Sequence, residues 1–155
     1  VLTLSLKPFY LVQFLQVNII TSLLKSTTMS TTATAKMSTK EIAKKLKKLC
    51  DKGDFEGAHR ELYAKNAVSI EPEASQGFEK ETHGLDAIIE KGKKWTNMVT
   101  ETHSIETSEP MIAGNTFAVT MRIDATMKEG GRRDMNELCV YHVKDGKIIS
   151  EQFFM

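Results

Sequence analysis

Apolar residues follow a helical period through the first half of the chain and a period of two through the second. Ile42, Leu46, Leu49 and Cys50 recur at helical spacing with lysines between them. Ser38-Thr39-Lys40-Glu41 has the form of a capping box, in which the Ser38 hydroxyl accepts from the Glu41 amide and the Glu41 carboxylate reaches back to the Ser38 amide. A helix is predicted from there to a stop at Lys52-Gly53. Asp54 then caps a second, short helix carrying Phe55, Ala58, Leu62 and Tyr63. A strand is expected at Ala67 to Glu71 and a polar loop from Ala74 to Thr82. A third helix is expected from about Leu85 to Val99, with Leu85, Ile88, Ile89, Trp95 and Met98 on or near one face.

Beyond Val99, four strand-like segments are separated by Gly114-Asn115, Gly130-Gly131 and Asp145-Gly146, the turn chemistry of a β-meander. Between Thr116 and Met127 the residues Phe117, Val119, Met121 and Ile123 form an apolar row, while Thr120, Arg122 and Asp124 take the other face. Glu137, Cys139, Tyr141 and Val143 share one face of the next segment. The last strand, Lys147 to Met155, places Ile149, Glu151, Phe153 and Met155 on one side. Helix, helix, strand, helix and four meandering strands make an α+β layout with helices over one face of a curved sheet.

Composition narrows the field. A chain of 155 residues with 41% hydrophobic content suits one compact domain. Three of the 21 basic residues and none of the 20 acidic ones fall within residues 1–36, leaving 18 against 20 in the rest. The chain thus divides near Met37. Residues 1–36 are read as an N-terminal extension, disordered or the product of an over-long gene model, ahead of a domain at 37–155. The apolar run from Phe9 to Leu24 is interrupted by Gln13, Gln16 and Asn18 and is short for a membrane span. A cytoplasmic protein without a membrane partner is expected, secreted only if residues 1–35 act as a signal peptide.

A formal charge of +1, without a dense basic block, leaves no electrostatic footprint for nucleic acid. Cys50 and Cys139 form no CxxC pair, and His59, His83, His103 and His142 form no HxxxH pair, so no metal site is indicated. Gly130-Gly131 serves a turn and nothing resembles a phosphate-binding loop, so no cofactor is expected.

The runs "LYAKNAVSIEPE", "GLDAIIEKGKKW", "AGNTFAVTM" and "CVYHVKDGKIISEQFF" resemble the SnoaL-like branch of the nuclear transport factor 2-like superfamily, over about Met37 to Met155. That resemblance implies a cone-shaped α+β barrel enclosing a pocket between sheet and helices, and in many members a homodimer formed by sheet faces. It also gives a reading of Glu71, the carboxylate set directly before Pro72. In ketosteroid isomerase, a member of the superfamily, an Asp before a Pro at the end of the first strand is the general base. Glu71 stands at the matching place, and an apolar pocket would raise its pKa toward neutrality. The oxyanion donors of that enzyme would fall at Leu46 and about Cys139, neither a strong donor, so steroid isomerisation by that constellation is rejected.

In the orientation the resemblance implies, Phe117, Val119, Met121, Ile123, Glu137, Cys139, Glu151 and Phe153 face the pocket, with Trp95 as core residue or pocket wall. Three acids at close range cannot all ionise cheaply. Acidic side chains are more often exposed, and Glu137 or Glu151 pairing with Arg122, Arg132 or Arg133 is the structural alternative. Two functions follow. One is a cofactor-free isomerase or cyclase acting on a small apolar carbonyl compound, with Glu71 as acid/base and Tyr141 as hydrogen-bond donor. The other is a non-catalytic module for small-molecule binding or dimerisation.

Overall fold

The computed structural model describes residues 36–75 and 77–155. The extension expected at residues 1–36 lies outside them except for Lys36, whose ammonium pairs with Asp145 at 2.7 Å. Three helices occur among the described residues. The first, α1 (Thr39–Cys50), is held at its start by the capping box expected from Ser38 and Glu41. Its apolar stripe buries Ile42, Ala43, Leu46 and Cys50 while the lysines face outward. Gly53 takes the positive φ of 71° that ends this helix, and the Asp54 carboxylate accepts from the Gly57 amide at 3.0 Å to begin α2 (Phe55–Leu62). The third helix, α3 (Leu85–Met98), buries Ile88 and Ile89.

Strand β1 (Tyr63–Ile70) begins four residues earlier than the sequence pattern suggested and stops one short of Glu71. Tyr63 leaves the helix because it pairs in parallel with Ile148 across the sheet, a contact local periodicity does not contain. Two short strands were not expected as separate elements: β2 (Glu81–His83), at the end of the expected polar loop, and β4 (Met111–Ala113), cut from the first of the four expected strand-like segments. Each has three residues, too few to show an alternation. The remaining strands are β3 (Val99–Thr107), β5 (Thr116–Met127), β6 (Gly131–Lys144) and β7 (Lys147–Phe154).

The sheet runs β2-β1-β7-β6-β5-β3, with β4 also pairing β5. Only the β1 and β7 pair is parallel among these; the other pairs are antiparallel. This is the expected α+β architecture, a curved open sheet with helices over its concave face. On β5 every odd residue from Phe117 to Met127 is buried, as the alternation requires. On β7 the register shifts between the His142 and Val143 pairings, so Ile148, at 0% exposure, enters the core in place of the expected Ile149. The extra residue of a β-bulge changes which side chains point inward, and Glu151 and Phe153 still face the concave side.

Candidate functional site: a cavity on the concave face

Strand register decides which side chains meet. Ser69 on β1 pairs with Glu151 on β7, Glu151 with Tyr141 on β6, and Tyr141 with Phe117 on β5. These four form one row across the concave face, because side chains at paired positions point the same way. Two residues further along β6, the next row holds Phe153, Cys139 and Val119, and the one after it joins Glu137 to Met121.

Between these rows and the helices lies a cavity of about 370 Å³. Phe55, Trp95 and Phe153 contribute aromatic wall, and Trp95 meets Phe55 edge to face with centroids 6.3 Å apart. Five of the eight methionines, Met98, Met121, Met127, Met135 and Met155, complete much of the apolar lining. Such unbranched, polarizable side chains let the wall repack around ligands of different outline.

The polar lining is concentrated in a few groups. The Lys91 ammonium, on α3, donates to Glu71 Oε1 at 2.5 Å and to Ser69 Oγ at 2.6 Å, and lies 5.2 Å from the centroid of the Phe153 ring. The Tyr63 hydroxyl donates to Glu151 Oε2 in a buried hydrogen bond. Burial first, then the neighbouring Glu151 charge, pushes the Tyr63 phenol well above its usual value, so it stays a donor. Tyr141 is stacked on Phe117 at 4.7 Å and 2% exposed; burial likewise keeps its phenol protonated.

Glu137 is the most displaced acid. Burial and then the Glu71 charge raise its carboxyl to about 7, with Glu151 adding less, against the lowering influence of the Cys139 thiol, which donates at 3.7 Å, and of Lys91. At neutral pH this carboxyl is close to half protonated, the condition in which one group both gives and takes a proton. The thiols differ: burial raises Cys50 to about 12 and Cys139 higher still, which keeps both protonated.

The residues singled out in the sequence divide here. Glu71, Tyr141, Trp95, Met121, Ile123, Glu137, Glu151 and Phe153 all line the cavity. Phe117, Val119 and Cys139 do not reach its wall; they are 1%, 1% and 0% exposed within the core that includes Ile42 and Ile148. Their row points inward, but the space before them is filled. The alternative pairing of Glu137 or Glu151 with arginines does not occur: Arg122 holds Asp134 and Arg132 holds Asp124 on the outer face, and Arg133, which borders the cavity, makes no ion pair among the described residues.

Polar lining residues that went unnoticed in the sequence as members of a site include Lys91, His59 and Tyr63. A signal existed for each. Lys91 stands three residues after Ile88 and four before Trp95, a lysine inside an apolar helical stripe. His59 and Tyr63 continue at four-residue spacing from Phe55. Among the described residues no group of three or more His, Cys, Asp or Glu side chains forms a metal site. No helix among them is long and apolar enough to cross a membrane.

A model of the SnoaL-like domain matches residues 37–155. The chain belongs to the SnoaL-like family, and its fold is that of the nuclear transport factor 2-like superfamily. A candidate SnoaL-like polyketide cyclase from Mesorhizobium loti is 34% identical and superposes with a TM-score of 0.70, over 77% of this chain and 100% of that one. A cystatin-like protein from Xanthomonas campestris shares the fold at 19% identity and a TM-score of 0.66, covering 76% of this chain and 90% of its own. A nuclear transport factor 2-like protein from Burkholderia pseudomallei does so at 15% identity and 0.65, over 77% and 92%. No curated protein matches the chain.

Proposed function

We propose that the cavity takes a small, largely apolar carbonyl compound and that the protein catalyses cofactor-free proton transfer on it, as an isomerase or cyclase. The observation that carries this reading is Glu137, whose carboxyl is held at about 7 on the wall of a mostly apolar cavity. In its acid form Glu137 gives its proton to the carbonyl oxygen, which makes removal of a neighbouring carbon-bound proton easier. Tyr141 and the Lys91–Glu71 pair supply the remaining polar contacts, and the aromatic and methionine wall holds the carbon skeleton. Family membership and the 34% identical M. loti protein favour cyclase-type chemistry over unrelated activities.

The test uses β-tetralone, an aromatic ketone with acidic protons beside its carbonyl, in heavy water. Proton NMR should show exchange of those protons accelerated by the protein and slowed at least about 100-fold by Glu137→Gln. If the protein does not accelerate exchange, the catalytic reading falls and a ligand-binding module takes its place.

The proposal includes a homodimer through the outer sheet face. Leu138 and Phe154 are register partners on β6 and β7, 41% and 45% exposed, and form an apolar pair on the face away from the helices. Sedimentation should give a dimer that Leu138→Lys converts to monomer; a monomeric unsubstituted protein rejects the interface.

A further inference from the structure

Proton transfer at carbon needs a base as well as the acid assigned to Glu137, and the cavity contains four groups of suitable chemistry: Glu71, Glu151, His59 and Lys91. Glu71 already accepts from the Lys91 ammonium through Oε1 at 2.5 Å. Glu151 accepts the buried Tyr63 hydroxyl. Among the described residues, neither ring nitrogen of His59 has a hydrogen-bond partner, yet the side chain lines the cavity. We propose that His59 is the catalytic base of this site and works across the cavity from Glu137.

The local structure supports that role. His59 projects from α2 in the helical wall, while Glu137 projects from β6 in the sheet. Its ring stands edge-on to Tyr63, with centroids 4.9 Å apart and planes at 88°. On its other side lies Gly92 of α3: a Cβ there would meet His59 Cε1 at 3.6 Å and Nδ1 at 3.9 Å. The imidazole is thus oriented by packing against Tyr63 of β1 and Gly92 of α3, while neither ring nitrogen is taken up by a hydrogen bond among the described residues. The charged groups facing it are Glu151 from β7, Lys91 from α3 and Glu56 from its own helix. Burial is the largest influence and lowers the imidazole below its ordinary value; Lys91 adds to that, and the two glutamates oppose it. At neutral pH the ring is uncharged, with one nitrogen lone pair free.

The step balances within the site. The uncharged His59 nitrogen takes the proton from the carbon beside the carbonyl, and the electron pair of that bond forms the carbon–carbon double bond. The carbonyl π electrons move to oxygen, which receives the Glu137 proton. The products are the enol, imidazolium and carboxylate; reversal at the same carbon gives exchange, and return of the proton at another carbon gives isomerisation. The active form therefore has His59 uncharged and Glu137 protonated. Its abundance rises as pH passes the lowered His59 value and falls above about 7, where Glu137 ionises.

This inference rests on the proton-transfer reading, and the pH dependence of β-tetralone exchange separates the two. The unsubstituted protein should give a bell-shaped profile. His59→Gln should lose the rising limb and at least about 100-fold in rate, whereas Glu137→Gln should lose the falling limb. Exchange that keeps its rising limb in a folded His59→Gln protein overturns the assignment of His59 alone; no exchange by the unsubstituted protein overturns both readings. A second measurement needs no substitution. β-Naphthol carries its hydroxyl on a trigonal ring carbon, as the enol of β-tetralone does, and its binding should shift the His59 ring nitrogens in side-chain NMR together with the Glu137 carboxyl carbon. A shift at Glu137 without one at His59 removes His59 from the reaction.

Discussion

Phe117 and Val119, near the start of β5, are each 1% exposed inside a filled core, whereas Met121 and Met127 further along the same inward row border a cavity. The alternation along the strand is identical at both ends. What differs is the cover: no space opens in front of Phe117, whereas the methionines face a volume the helices leave empty. Strand periodicity chooses a face and is silent on whether the space in front of it is filled, because that depends on how helices from elsewhere in the chain come to rest.

Truncating a side chain at each end of β5 separates the filled core from the cavity. Phe117→Ala should cost about 3–5 kcal/mol in chemical denaturation, since a large group leaves a close-packed site. Met127→Ala should cost under about 2 kcal/mol, because part of its surface already has no neighbour to lose. Equal losses would mean that the cavity end is as tightly packed as the core.

The next effect belongs to the charges of the cavity end. Because the Glu137 carboxyl is raised from 4.5 to about 7, the folded state binds an extra proton between those values, and stability is lost as pH rises through that window. Glu137→Gln removes the dependence. It should be more stable than the unsubstituted protein above about pH 7, by up to about 3 kcal/mol, with no such advantage below about pH 4. Denaturation at the two pH values checks the sign.

Glu71→Gln also acts on the cavity end. Its side chain and that of Lys91 are 21% and 15% exposed, so loss of the carboxylate leaves a partly buried ammonium without its ion partner, at a cost of about 1–3 kcal/mol. The same change removes the largest neighbouring charge acting on Glu137, whose carboxyl should then titrate lower in carboxyl-carbon NMR. An unmoved Glu137 would separate the two carboxylates electrostatically.

Gly92→Ala should have the smallest effect. Within α3 the alanine should add about 0.5–1 kcal/mol of stability, and its methyl group meets the His59 ring at ordinary contact distance. A gain in melting temperature together with weaker β-naphthol binding would identify this glycine as a position that keeps the cavity open at the expense of helix stability.

Much of the fold was legible because its signals are local. The Ser38–Glu41 capping box, the Asp54 cap, the apolar stripe of α1 and the odd-numbered row of β5 each depend on residues within a few positions of one another. Strand β2 and the bulge at Ile149 were not legible: β2 exists through pairing with β1, and the bulge through pairing with β6.

The site shows the same division. Glu71, Glu137, Glu151 and Tyr141 were found from strand alternation and from resemblance to a family, but neither source reported that Lys91 reaches Glu71 across 20 positions of chain or that Tyr63 reaches Glu151 across 88. Local pattern was enough for the helices, most of the meander, the inward face of β5 and the family. The partners of Glu71 and Glu151 come from the packing of distant segments, an ammonium and a buried hydroxyl, while Glu137 takes a thiol from its own strand, and burial without a cationic partner of its own leaves Glu137 near neutrality. The physical reason is one of range. Capping and periodicity act over a few residues, whereas desolvation and charge coupling depend on every element that closes over a group.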